Sequence, residues 1–250
     1  MKDRAVELTS AGDVVAACGD DTLTVWAAQG MGPGVRAWSM GEAVVVASPD
    51  LNRRDRLAVH GPAPQVARLV ELVWPKLGPS YRLLGDRDLL GELVGLVPGM
   101  RPLASFEWMD AAGPPPPGRA QPGTGGWLRD ADAEVSALLA EASPSAWATP
   151  GVTGIRRWAG IRADDGTLVA TAADAWSCPQ VGFVAGVATA PSHRGRGHGE
   201  RLCRFVFEAL AAAHGRVALM VDSDNRTAIG LYERLGLRIR PVAAVALEGV

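Results

Sequence analysis

Short runs rich in Val, Leu and Trp, punctuated by Gly, Pro and Asp, set the early pattern of the chain: Thr22 to Ala27, Val35 to Ser39, Ala43 to Ser48 and Arg56 to His60. They predict a meander of strands. The period then changes. Val66, Leu69, Val70, Val73 and Leu77 fall on one helical face between Pro62 and Leu77, and Asp86 is placed to cap a second helix that runs to Val97 before Pro98 and Gly99 stop it. Arg101 to Trp108 returns to strand. This half is expected to be α+β, and no catalytic constellation stands out in it.

The pattern breaks from Ala111 to Gly126, where five Pro and five Gly fill ten of sixteen positions. Such a composition builds neither helix nor sheet and reads as an interdomain linker, with a long loop inside one domain as the alternative. The expected division is therefore residues 1–110, a linker 111–126, and residues 127–250. No internal sequence repeat is visible. Beyond the break, Asp130 to Ala142 reads as helix, and Trp158 to Arg162 and Thr167 to Ala173 flank the tight turn Asp164-Asp165-Gly166. Val181 to Thr189 is an apolar strand interrupted by Gly182 and Gly186, which predicts a bend, a bulge or a close approach.

Composition narrows the classes. With 250 residues, 48% hydrophobic and 21% charged, the chain has material for one large core or two modest ones. Residues 1–110 carry a net charge of −3 and the remainder +1, so bulk charge does not point to a nucleic-acid partner. Cys18, Cys178 and Cys203 are distant and odd in number, which argues against a disulfide framework and for a reducing, cytoplasmic location. No apolar stretch reaches the length of a signal peptide or membrane span, so no membrane partner is expected.

The chemistry begins after the strand ending at Thr189. Pro191-Ser192-His193-Arg194-Gly195-Arg196-Gly197-His198-Gly199 opens a helix carrying Leu202, Phe205, Val206, Ala209, Leu210 and Ala213 on one face. Unpaired N–H groups at such an opening face the positive end of the helix dipole, and glycines admit an anion without a Cβ in the way. A phosphate or pyrophosphate is the expected ligand. The segment lacks the Lys-Ser/Thr pair of a P-loop, and its glycine spacing is not that of a dinucleotide loop. Gln29-Gly30-Met31-Gly32-Pro33-Gly34 has similar spacing but is followed by a strand, so it reads as a hairpin loop. His193, His198 and Cys203 are spaced five apart and share no helical face, so no metal site is expected.

A second segment follows strand Arg216 to Val221: Asn225-Arg226-Thr227-Ala228-Ile229-Gly230-Leu231-Tyr232-Glu233-Arg234-Leu235-Gly236-Leu237. Asp224 is a candidate N-cap for its helix, and Gly236 suits a left-handed C-terminal stop. The two segments, in this order, closely resemble the paired motifs of the GNAT N-acetyltransferase superfamily, with Leu237 where Phe is usual. The resemblance spans residues 127–250 and is nearest to the glycine N-acyltransferase-like branch. It implies a mixed, mostly antiparallel sheet flanked by helices, preceded by a smaller α+β domain that is a degenerate copy of the same half.

By this resemblance, Arg194, Gly195, Arg196, Gly197, His198 and Gly199 hold the pyrophosphate of acetyl-CoA. The backbone of Val187, Ala188 and Thr189 pairs with pantetheine, and an N–H near Val187 or Ala188 polarises the thioester carbonyl. Asn225 hydrogen-bonds the pantetheine arm, and Tyr232 protonates the departing thiolate. The implied activity is acyl transfer to a primary amine of a small molecule or amino acid by direct attack in a ternary complex. The implied protein is a monomer or homodimer, and a non-catalytic CoA-binding module is the alternative. Trp147 and Trp176 are candidates for the acceptor pocket, with core packing the alternative for each. Many members carry a Glu near the start of the fourth strand as base, but Val181 to Thr189 has no ionisable side chain. Asp174, expected beside the beginning of that strand, is the leading candidate, with Asp222 and solvent as the other routes for the proton.

Overall fold

The computed structural model describes residues 4–117 and 125–247. Its first half runs β1 (Val6–Leu8), α1 (Ala11–Ala17), α2 (Thr22–Ala27), β2 (Arg36–Met40), β3 (Ala43–Leu51), β4 (Arg54–His60), α3 (Ala63–Val73), β5 (Arg82–Asp86), α4 (Arg87–Leu96) and β6 (Met100–Ala112). The second half runs β7 (Gly126–Trp127), α5 (Asp132–Ala142), β8 (Ile155–Arg162), β9 (Leu168–Ala175), β10 (Gly182–Thr189), α6 (His198–His214), β11 (Arg216–Asp222), α7 (Arg226–Arg234) and β12 (Arg238–Leu247). Apart from an extra helix in the first half, α1 and α2 where the second has α5 alone, the two halves repeat one element order, a repetition that sequence identity between them does not reveal. Both are mixed α+β: each has antiparallel strands and one parallel step, β4 beside β5 and β10 beside β11, crossed by α3 and α6.

All the strands join one twelve-stranded sheet, ordered β1-β2-β3-β4-β5-β12-β6-β11-β10-β9-β8-β7. The order shows an exchange at its centre. β6, from the first half, pairs with β11 from Phe106 to Ala112, and β12, from the second half, pairs with β5 from Val242 to Val245. β6 and β12 then pair antiparallel with each other, from Arg238↔Asp110 to Leu247↔Met100. The expected partition at a linker therefore follows the chain but not the sheet. Ala111 and Ala112, placed in the linker by composition, end β6, and Gly126, in β7, pairs with Gly160 of β8. Linker residues 118–124 lie outside the described residues.

One further expectation is corrected. Thr22 to Ala27 is helix α2, because the Asp21 carboxylate accepts the N–H of Thr24 (2.9 Å) and its hydroxyl (2.7 Å) and starts a helical turn. Its residues from Leu23 to Ala27 are all buried, so the run carries no polar face to reveal a helical period. Gln29 to Gly34 accordingly links a helix to a strand instead of closing a hairpin.

The core lies in layers. On one sheet face α3 and α4 cover the first half, and α6 covers the second. The opposite face holds a core shared by both halves, where Trp26 of α2 stacks on Phe183 of β10 with centroids 4.6 Å apart, and Trp108 of β6 packs against both. The Trp26 indole N–H also donates to the Trp176 carbonyl (2.9 Å), binding the halves across buried backbone. Among the described residues no helix is long and apolar enough to cross a membrane.

Candidate active site

The parallel pairing of β10 with β11 ends at Val184↔Leu219, whereas β11 continues along β6 to Asp222. β10 bulges between Ala185 and Ala188 at its other edge, against β9. Gly186 takes a φ of +60° there, and a Cβ on it would lie 2.7 Å from the Trp158 ring. This is the bend expected from the glycines. The strands splay, and the β10 edge from Ala185 to Thr189 is left without a strand on its β11 side, open to an extended ligand.

The splay opens into a cavity of about 610 Å³, lined among others by Val187, Met220, Asp222, Asn225 and Tyr232. Tyr232 reaches it from α7, 5% exposed, and its hydroxyl has no hydrogen-bond partner among the described residues. Burial, with a smaller contribution from neighbouring Cys203, raises the phenol well above its ordinary value, so it stays protonated. Asn225, and not Asp224, caps α7: its Oδ1 accepts the Ala228 N–H at 3.1 Å. That leaves its amide N–H groups to donate into the cavity.

At the mouth of the splay, Gly195 and Gly197 adopt φ values of +74° and +76°, and Gly197 stands as N-cap of α6. The N–H groups of residues 195–199 donate to no acceptor among the described residues, the arrangement that suits an anion. Arg194 anchors the loop to the scaffold. Its Nε donates to the Thr189 carbonyl (3.2 Å) and Nη2 to that of Ala142 (3.1 Å). Arg201 donates to Nδ1 of His198 at 2.8 Å, and burial together with surrounding cations lowers the His198 pKa, so this ring adds no charge. Arg196 is the loop guanidinium with no hydrogen bond or ion pair among the described residues.

The acceptor candidates separate. Trp147 is 44% exposed and lines the cavity, with the guanidinium carbons of Arg54 and Arg56 at 5.5 and 5.7 Å from its ring centroid. Trp176 does not line it: the ring is 4% exposed, donates to the Thr153 carbonyl and packs edge-on to Phe183 in the shared core. Asp174 is also corrected. It pairs with Val184 as its position beside β10 requires, but strand alternation turns it with Ala170 and Ala172 to the α6 face, away from the cavity. There its carboxylate accepts from Ser177 Oγ (2.6 Å) and Arg157 Nε (3.2 Å), and Ser177 Oγ in turn accepts the Phe183 N–H. Among the described residues that line the cavity, Asp222 is the one carboxylate.

The first half has a matching splay between β4 and β5, a cavity of about 340 Å³ lined by Val59, His60, Gly85 and Asp86. Asp21 and Arg240 form an ion pair in its wall. The helix beyond it begins Pro62-Ala63-Pro64, and prolines bring no N–H, so no anion cradle forms at this opening. Instead this half contributes Asn52, Arg54, Arg56 and Arg82 to the larger cavity. No motif marks these residues in the sequence. The signal present was Arg54 and Arg56, two apart on one face of a strand otherwise rich in apolar residues.

Residues 133–237 match the acetyltransferase (GNAT) family. No curated protein matches the chain. Among solved structures, the chain is similar to a GCN5-related N-acetyltransferase from Sphaerobacter thermophilus, with a TM-score of 0.59 and 17% identity over 99% of this chain and 98% of that one. Another, from Kribbella flavida, has a TM-score of 0.56 and 20% identity over 83% and 87%. A GNAT-family protein from Novosphingobium aromaticivorans has a TM-score of 0.51 and 25% identity over 78% and 88%.

Proposed function

Because residues 133–237 match the acetyltransferase (GNAT) family, we propose that this protein transfers acetyl from acetyl-CoA to a primary amine of a small molecule or amino acid. The observation that carries this reading is the convergence of three features at the β10–β11 splay. They are an unpaired strand edge, a helix opening with free N–H groups, and a buried, protonated phenol. The pyrophosphate lies on the amides of residues 195–199 beside Arg196, and pantetheine runs along Val187, Ala188 and Thr189 with Asn225 donating to it.

The amine nitrogen attacks the thioester carbon, and a backbone N–H of Val187 or Ala188 stabilises the oxyanion. The C–S bond breaks as Tyr232 gives its proton to sulfur, releasing CoA and an amide. Asp222, by its place in the cavity, takes the amine proton directly or through water; Asp174 has no part in this scheme. The repeated element order supports placement near the glycine N-acyltransferase-like branch. Three free, buried cysteines support a cytoplasmic location.

The test combines calorimetry of acetyl-CoA binding with thiol release across a panel of amines. Binding together with amine-dependent CoA release is expected. Binding without release from any amine would leave a CoA-binding module.

A further inference from the structure

We propose that the acceptor amine carries an anionic group, a carboxylate or a phosphate, and that Arg56, assisted by Arg54, binds that anion beside the face of Trp147. This deepens the acyltransferase reading and rests on it for the word acceptor. Arg56 is 5% exposed and lines the cavity, and its Nε is shut off from solvent with no hydrogen-bond partner. No carboxylate pairs with it or with Arg54 among the described residues.

The charges around Arg56 are of its own sign. Arg54 lies two residues away on the same face of β4, and Arg82 sits opposite in the parallel register with β5. Arg82 is occupied by the carbonyls of Pro79 (2.7 Å) and Tyr81 (2.8 Å). Asp55, between Arg54 and Arg56, is committed elsewhere: it accepts from the Ser80 hydroxyl and from the Asp50 N–H. Burial and Arg54 push the Arg56 guanidinium down to about 10, which still leaves it charged near neutrality.

A buried cation among cations is costly unless an anion completes it. A guanidinium fork is shaped for a planar carboxylate or a phosphate, and the Trp147 ring flanks both arginines. Asn52, whose Oδ1 is likewise buried and unpartnered, offers an acceptor in the same cavity. Because that cavity continues to Asn225 and Tyr232, a molecule held by its anion at the first half presents its amine to the second. The first half, with no anion cradle at the opening of α3, thereby supplies acceptor specificity.

The test uses the full chain with acetyl-CoA and two sets of probes. β-Alanine, 4-aminobutyrate and phosphoethanolamine are amines that bear an anionic group; propylamine and ethanolamine bear none. CoA release is expected to show kcat/KM at least about tenfold higher for one anion-bearing set, carboxylate or phosphate, than for the amines without an anion. That set is also expected to raise the melting temperature of the wild type and not of Arg56→Gln. Arg56→Gln is expected to lose the preference through KM with acetyl-CoA affinity unchanged, and Arg56→Lys to recover part of it. Equal use of amines with and without an anionic group, or a preference that survives in Arg56→Gln, would overturn the subsite, as would the absence of any anion-dependent shift in melting. Arg56-dependent stabilisation by an anion-bearing probe without CoA release from any amine would sustain the anion site and overturn the acyltransferase reading alone.

Discussion

Trp26 of α2 stacks on Phe183 of β10 with ring planes 21° apart, a contact between helix and strand from opposite halves of the chain. Both rings are fully buried. Truncating Trp26 to Ala removes one side of this contact and leaves a cavity, a change that costs about 3–5 kcal/mol in a packed core. Both halves are expected to lose stability together, seen as one cooperative urea transition shifted to lower midpoint. A fragment starting at Gly126 lacks β6 beside β11 and exposes the shared core, and its circular dichroism is expected to show no cooperative melting.

Replacement of Gly199 by Val tests the anion cradle. A Cβ at this position meets Thr189 Oγ1 at 3.4 Å and Leu231 at 3.6 Å, ordinary contacts, so the fold is expected to survive. The branched side chain screens the helix opening, and acetyl-CoA affinity is expected to fall by about tenfold or more, read by calorimetry.

Tyr232→Phe keeps the ring against Phe207 and deletes the proton donor. A fall in kcat of ~10²-fold is expected, with acetyl-CoA affinity preserved. Since burial raises the phenol's pKa, the wild-type kcat profile is expected to show no alkaline limb from Tyr232 below pH 10.

Alkaline pH is expected to weaken the fold. Burial pushes the Cys203 thiol from its ordinary 9.0 up to about 12, and Tyr232 moves in the same direction. Both groups keep their protons in the folded state after the unfolded chain has released them. The stability they contribute is therefore complete below pH 9 and is lost as pH rises from there toward 12. For Cys203 the full loss is on the order of 4 kcal/mol. Urea unfolding measured between about pH 8 and 10.5 is expected to follow this slope, and Cys203→Ala to flatten it.

The two aspartates are expected to fail differently. Asp174→Ala strips two hydrogen bonds from a buried carboxylate and is expected to cost about 2 kcal/mol, measured by denaturant unfolding. Asp222→Asn is expected to leave stability near wild type while lowering kcat/KM with acetyl-CoA affinity unchanged.

Features written in neighbouring residues were legible in the chain. Asp86 does cap α4, accepting from Asp88 and Leu89, and the helix after Pro62 runs as its apolar spacing requires. The glycine loop, Asn225 and Tyr232 were found because their chemistry is local and ordered along the chain. Asp174 shows where this fails. Its partner Val184 was within reach of strand register, but the face it takes depends on a bulged sheet. Arg56 was harder still, because an absence of counter-charge is a property of β4, β5, the Trp147 loop and the cavity together. The strand exchange left no local trace, since β12 reads the same whether its neighbours are near or distant in sequence.

That exchange has a consequence for biosynthesis. β12 inserts between β5 and β6, strands that leave the ribosome a whole half of the chain earlier. Until it is made, the facing edges of β5 and β6 carry unpaired N–H and C=O groups at the middle of the future sheet, the kind of edge that invites pairing with another nascent chain. Closure also depends on contacts between segments far apart in sequence, which slows folding. Polysomes paused within the second half are therefore where chaperone protection of this protein matters most, and a stop codon placed before Arg238 removes the strand that seals both halves.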